Sequence, residues 1–211
     1  MKLLLSLLLC FTGCAAIHPS GPTPVACVGD SITYGSGVQG RESNSYPAVL
    51  QHLLGDNYAV KNFGVSGATL LRKGDHPYWK TGAFTNALQF RPRIVIIKLG
   101  TNDSKPQNRT NINEFAGDLR AMVETFAALD SKPRIYLCLP VPVYKTQWGI
   151  NEASVADEII PAIKKVAREK KLPVIDLHAA LADKKELFPD SVHPNAAGAR
   201  LMAETIYAVL K

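Results

Sequence analysis

Five residues scattered along the chain have the side chains and settings that attack by a serine on an acyl carbon would need: Ser31, Gly67, Asn102, Asp190 and His193. Ser31 closes Gly29-Asp30-Ser31, where an apolar run gives way to a polar, glycine-flanked turn. A serine there is either a helix cap or a nucleophile. The second role needs a base and a group to orient it. His193 stands three residues after Asp190, just ahead of a helix-like stretch. That spacing lets the carboxylate reach the Nδ1 side of the imidazole and fix its tautomer, leaving Nε2 to take a hydroxyl proton. Pro194 biases His193 towards extended backbone, outside the helix that follows. An oxyanion needs donors. Gly67 has no Cβ and offers a backbone amide at close approach, Asn102 offers a side-chain amide, and the Ser31 amide at a helix start adds a third. Each residue has a plainer reading: a cap, a tight turn, a turn residue after Gly100, a surface Asp-x-x-His pair. What joins them is that four such polar motifs fall at strand-like ends.

The elements that must position these residues follow a simple alternation. Five short runs, residues 25–28, 59–63, 94–99, 135–139 and 173–175, are mostly apolar and rich in β-branched residues rather than alternating, as strands covered on both faces are. Helical patterns lie between them. Ser45 is placed to cap a helix with Pro47 in its first turn. Ile112, Phe115, Leu119, Met122, Phe126 and Leu129 recur at three and four, as do Val155, Ile159, Ile163 and Val166, where Pro161 implies a kink or a broken start. Asn195 is placed to cap a last helix carrying Met202, Ile206 and Val209. The alternation predicts one α/β domain, a three-layer α/β/α sandwich on a parallel sheet.

Two connections are long for such a fold, residues 66–83 and 140–154, and long loops at the C-terminal edge of a parallel sheet build sites. His76, Tyr78 and Trp79 in the first and Tyr144 and Trp148 in the second are therefore candidate substrate contacts, the aromatic faces being suited to stacking on sugar rings. Other chemistries lack their residues. Gly64-x-Ser66-Gly67 is followed by Ala68, so Ser66 is not set in a Gly-x-Ser-x-Gly elbow. No cluster has metal-ligand spacing, and no Gly-x-Gly-x-x-Gly loop follows the first strand, so neither metal nor cofactor is expected. His52 and His178 read as structural. Lys98 is unusual in a buried strand, where it either pairs with a carboxylate or reaches out at the strand end.

The 211 residues suffice for one domain with a real core, and 46% hydrophobic with 20% charged is ordinary globular composition. The formal charge of +6 is scattered, with no basic stripe interleaved with aromatics, which argues against nucleic-acid partners. Lys2, the apolar run from Leu3 to Phe11 and the small residues after it have the form of an export signal, too short to span a bilayer as a mature helix. Gly13-Cys14 resembles a bacterial lipobox, which would lipidate Cys14 and make it the only membrane anchor; the other reading is ordinary cleavage near Ala16. The expected organisation is a signal over residues 1–16, a tether over 17–24 and a domain over 25–211, in a periplasmic, outer-membrane or secreted protein. Cys27 and Cys138 then remain as buried free thiols.

Taken as an ordered set, Gly29-Asp30-Ser31, Gly64-Val65-Ser66-Gly67, Gly100-Thr101-Asn102-Asp103 and Asp190-x-x-His193 resemble the four blocks of the SGNH (GDSL) hydrolase superfamily. The resemblance implies a flavodoxin-like sheet in the order 2-1-3-4-5 and a serine esterase without a metal. Its nucleophile would be Ser31, its base and acid His193 and Asp190, and its oxyanion donors Ser31, Gly67 and Asn102. In that order Cys27 and Cys138 lie on non-adjacent strands, too far apart to bridge. Around the blocks, Gly29 to Gly37, Asn44-Ser45-Tyr46-Pro47, Gly82-Ala83-Phe84 and Gly100 to Lys105 are similar to bacterial carbohydrate O-acetylesterases of the sialate O-acetylesterase and acetylxylan esterase kind. An acylated carbohydrate is the substrate this implies. A lysophospholipase, arylesterase or thioesterase would share every catalytic residue, and a non-catalytic glycan-binding protein is the alternative outside enzymes.

Overall fold

A computed structural model describes residues 21–211. The expected signal, the lipobox-like Gly13-Cys14 and the first half of the expected tether lie outside the described residues. Five strands form one sheet: β1 (Thr23–Gly29), β2 (Tyr58–Gly64), β3 (Ile94–Lys98), β4 (Arg134–Cys138) and β5 (Val174–Ile175). Every pairing is parallel, and the order is β2-β1-β3-β4-β5. β1 begins at Thr23, so the last two residues of the expected tether are the start of this strand. Pro24 is tolerated there because its carbonyl still accepts from the Arg93 amide, at 2.8 Å.

The two faces of the sheet bury separate cores, as strands apolar on both faces require; the edge strand β2 departs from that expectation, with Lys61 and Asn62 exposed. On one, Ala26, Val28, Val95, Ile97 and Leu137 pack against the helices Gly82–Gln89, Phe115–Ala127 and Ile160–Lys170. On the other, Val25, Cys27, Ile96, Cys138 and Ile175 meet the helices Tyr46–Leu54 and Ala196–Leu210. The result is the three-layer sandwich. Cys27 and Cys138 are buried free thiols on β1 and β4, with β3 between them. Pro161 stands in the first turn of Ile160–Lys170, and a π turn over Val155–Ile159 precedes it, so the start is broken rather than kinked. Asn195 caps the last helix by accepting from the Gly198 amide at 3.0 Å. Ser45 holds the cap position of Tyr46–Leu54 without a side-chain bond.

All five strands point the same way, so their C-terminal ends share one edge. Ser31, the residues after Gly64, and Asn102 all follow directly from β1, β2 and β3 at that edge. Among the described residues no helix is long and apolar enough to cross a membrane.

Candidate active site

At the end of β1 the backbone turns into a single four-residue helical turn, Ser31–Tyr34. Asp30 is its cap, accepting from the Ile32 amide at 3.0 Å. The capping role considered for Ser31 therefore belongs to its neighbour, and the Ser31 hydroxyl is left for another partner. The turn is too short for a large helix dipole behind the Ser31 amide, so that part of the expectation is reduced to the amide itself. The turn sits directly on β2. A Cβ on Gly64 would lie 2.1 Å from the Tyr34 nitrogen, so only glycine permits this approach.

The Ser31 hydroxyl meets His193. Its Oγ is 2.8 Å from His193 Nε2, across 162 residues of chain. His193 Nδ1 is 2.7 Å from Asp190 Oδ2. The Asp190 carboxylate also accepts from the Val192 and His193 amides through Oδ1, at 2.9 and 2.6 Å. One short segment thus fixes both the carboxylate and the ring it orients. Ser191 adopts φ 72 to close this turn. Burial would raise the Asp190 pKa, but the two amides and the ring outweigh it and hold the carboxyl below its ordinary value. The arrangement can carry the Ser31 proton to Nε2 while Asp190 steadies the resulting imidazolium.

Gly67 follows β2 with φ +79, a left-handed conformation that suits glycine. Asn102 follows β3, is 3% exposed, and donates one Nδ2 hydrogen to the Ala68 carbonyl at 3.0 Å. This bond ties the Asn102 side chain to the segment that begins at Gly67. Asn108 braces it from the other side, donating to the Asn102 carbonyl at 2.8 Å.

Of the five loop residues expected to touch substrate, the structure brings two to this edge. Trp148 is 59% exposed, and its ring centre is 5.5 Å from that of His193. His76 is exposed, with Nδ1 3.5 Å from where a Cβ on Gly67 would stand. The other three have different work. Tyr78 is fully buried and donates to the Phe63 carbonyl at 2.6 Å. Trp79 donates from Nε1 to the Leu70 carbonyl at 2.7 Å, and packs edge-on against Phe84 with Arg72 over its ring. Tyr144 packs on Phe188, donates to the Leu181 carbonyl and accepts from the Lys184 amide. These rings fasten the long loops to the body, because an aromatic with its polar atom bonded to backbone is worth more packed than exposed.

Lys98 resolves towards pairing. It is fully buried, with Nζ 3.1 and 3.0 Å from the two Asp30 oxygens and 2.8 Å from Thr101 Oγ1. Burial lowers its pKa and the Asp30 carboxylate opposes that. Asp103 is also fully buried and accepts from the Leu70 and Leu71 amides at 3.1 and 2.8 Å. Burial pushes its carboxyl up to about 7 against the pull of those two amides. Thr101 and Asp103 stand inside the Gly100-Thr101-Asn102-Asp103 block, but nothing in the block itself marks them as buried partners of Lys98 and of the Leu70 and Leu71 amides. His178 is structural as expected, 2.7 Å from Glu152, which also accepts from the Val143 amide.

A doubly covered parallel sheet in the order 2-1-3-4-5, with a serine, a histidine and an aspartate hydrogen-bonded in series at its C-terminal edge, defines the class as a flavodoxin-like α/β/α sandwich carrying a Ser-His-Asp chain. The sequence model of the GDSL-like lipase/acylhydrolase family matches residues 27–201, and the chain belongs to that family. It is 46% identical over 205 residues to an acetylxylan esterase of Xylanibacter ruminicola, a match covering 89% of this chain and 43% of that protein. The chain thus spans less than half the length of this curated relative. Among solved structures, a carbohydrate acetylesterase from Sinorhizobium meliloti superposes with a TM-score of 0.73 at 19% identity, covering 89% of this chain and 98% of that one. The native aryl esterase of M. smegmatis does so at 0.72 and 18%, with the same two coverages. At such identities the likeness is one of fold.

Proposed function

We propose that the protein is a serine esterase that removes O-acetyl groups from carbohydrates. The observation that carries this reading is the continuous bonding from Asp190 through His193 to Ser31, at 2.7 and 2.8 Å, beside Gly67 and Asn102. In the proposed cycle His193 takes the Ser31 proton as Oγ attacks the acetyl carbon. The Ser31 and Gly67 amides and the second Asn102 amide hydrogen receive the oxyanion. The C–O bond to the sugar breaks, and His193 returns the proton to the leaving alcohol. Water then repeats the sequence on the acetyl-enzyme and releases acetate. Trp148, exposed next to the ring that protonates the leaving alcohol, lies on the side where the sugar would stack. The acetylxylan esterase named above makes acetylated xylan the first substrate to try.

Ser31→Ala should reduce turnover of p-nitrophenyl acetate by a factor on the order of 10⁴ or more. Residual activity near that of the unaltered protein would overturn the Ser31 mechanism. Acetate release from xylan, sialic acid, pectin and glucomannan then names the sugar. Much faster cleavage of octanoyl than of acetyl esters would replace the acetylesterase reading with a lipolytic one.

The reading extends to export, supported by Lys2, the apolar run after it and Gly13-Cys14. Expression in a bacterial host with radiolabelled palmitate should label the protein, and Cys14→Ser should abolish the label. Unlabelled protein beginning near residue 17 would favour ordinary cleavage, and protein retained whole in the cytoplasm would exclude export.

A further inference from the structure

Below Ser31 lies a group of fully buried ionisable side chains that the proposed cycle does not use: Asp30, Lys98 and Asp103. A buried ion pair gains little over well-packed apolar residues of similar volume, because desolvation offsets the attraction. β3 is otherwise Ile94, Val95, Ile96 and Ile97, so a fifth apolar residue would have suited the core. What the lysine supplies instead is direction. Its three contacts are two to Asp30 at the end of β1 and one to the Thr101 hydroxyl beyond the end of β3. Asp30 is the residue before Ser31, and its Oδ1 also holds the Ile32 amide just after it. Thr101 is the residue before Asn102. The backbone pairs Gly29 with Lys98, so the side chain bridges the two strands where they stop bonding to each other. The third donor is tied in from above: Asn102 holds the Ala68 carbonyl, and Asp103 holds the Leu70 and Leu71 amides, all on the segment that leaves Gly67.

We propose that Lys98 is a positioning residue that fixes the nucleophile turn relative to the oxyanion donors, acting through Asp30 on Ser31 and through Thr101 on Asn102. This rests on the esterase reading above. The ammonium touches no substrate; its three bonds fix the spacing of two strand ends whose reacting groups must both meet one carbonyl. A displacement of about 1 Å in such a site can lower the rate about 100-fold.

Two alterations isolate the effect. Thr101→Val removes one Lys98 contact while keeping the ion pair and the side-chain shape, and Thr101→Ser restores the hydroxyl. Lys98→Met combined with Asp30→Asn removes both charges together and keeps a side chain that can cap Ile32. Thr101→Val should lower kcat of the folded enzyme about 5- to 10-fold on p-nitrophenyl acetate, with KM within about twofold, assayed well below a melting temperature lowered by the ammonium hydrogen left unpaired, and Thr101→Ser should recover kcat. The double variant should lose about 10- to 100-fold in kcat, again without a matching change in KM. A merely structural role would move melting and leave kcat of the folded fraction intact. Unchanged kcat in Thr101→Val overturns the proposal, whether or not the double variant folds. Phosphonylation of Ser31 by a fluorophosphonate, followed by mass spectrometry, separates the two layers. An unaltered protein that neither hydrolyses ester nor reacts at Ser31 sinks the esterase reading and this proposal with it. An active protein whose variants match it sinks only the role of Lys98.

Discussion

Asn102 has two amide hydrogens, and the fold uses one of them to hold the Ala68 carbonyl. The other is the one available to an oxyanion. Asn102→Ala should therefore act twice, removing a donor and loosening the Gly67 segment. The expected loss is about 2.7–4 kcal/mol of transition-state stabilisation, a 10²–10³-fold fall in kcat with little change in KM on small esters. Steady-state kinetics on p-nitrophenyl acetate decides it, and a loss confined to KM would remove Asn102 from the oxyanion site. Single residues of this kind were the most legible part of the sequence, because a serine after a strand and an Asp-x-x-His ahead of a helix carry their geometry within a few residues. The aromatics were the least legible. Tyr78 and Trp148 both stand in long polar loops, yet one is fully buried and the other 59% exposed. Nothing local distinguishes them, since the outcome depends on whether a backbone carbonyl, here that of Phe63, comes within reach of the polar tip.

The turn Asp190–His193 behaves as a small element with its own electrostatics. Its carboxyl has a folded pKa below the ordinary 3.8, so the folded state binds the proton less tightly than the unfolded chain. The stabilisation is complete above the unfolded value and is lost as pH falls through the folded one. Asp190→Asn should thus lower the urea midpoint at neutral pH, and the difference between the two proteins should close as pH drops below 3.8. A gap that stays constant across that range would mean that the carboxylate charge plays no part in holding the turn. Strands were legible to within a residue or two because their runs are mostly apolar, the polar Lys61 and Asn62 of β2 being the clearest interruption. The pairing of Lys98 with Asp30 was not, since even with β1 and β3 as neighbours it depends on the register that sets Gly29 opposite Lys98. The first helical turn was similarly hard to size. Four residues and a cap at Asp30 look the same in sequence as the start of a longer helix capped at Ser31.

At the scale of the whole molecule, the order 2-1-3-4-5 brings the C-terminal ends of β1, β2 and β3 side by side, which is why residues far apart in the chain meet at one edge. The same parallel arrangement governs the ends of the domain. β1 takes seven residues, about 23 Å, to climb from Thr23 to the site edge. The last helix leaves three residues after His193 and takes fifteen residues, about 22 Å, to descend again. Entry and exit therefore lie at the pole away from Ser31. The domain is built like a plug-in cartridge, with both connectors on its base and its working face free. Polypeptide can be joined at either connector, or at both, without crowding the serine.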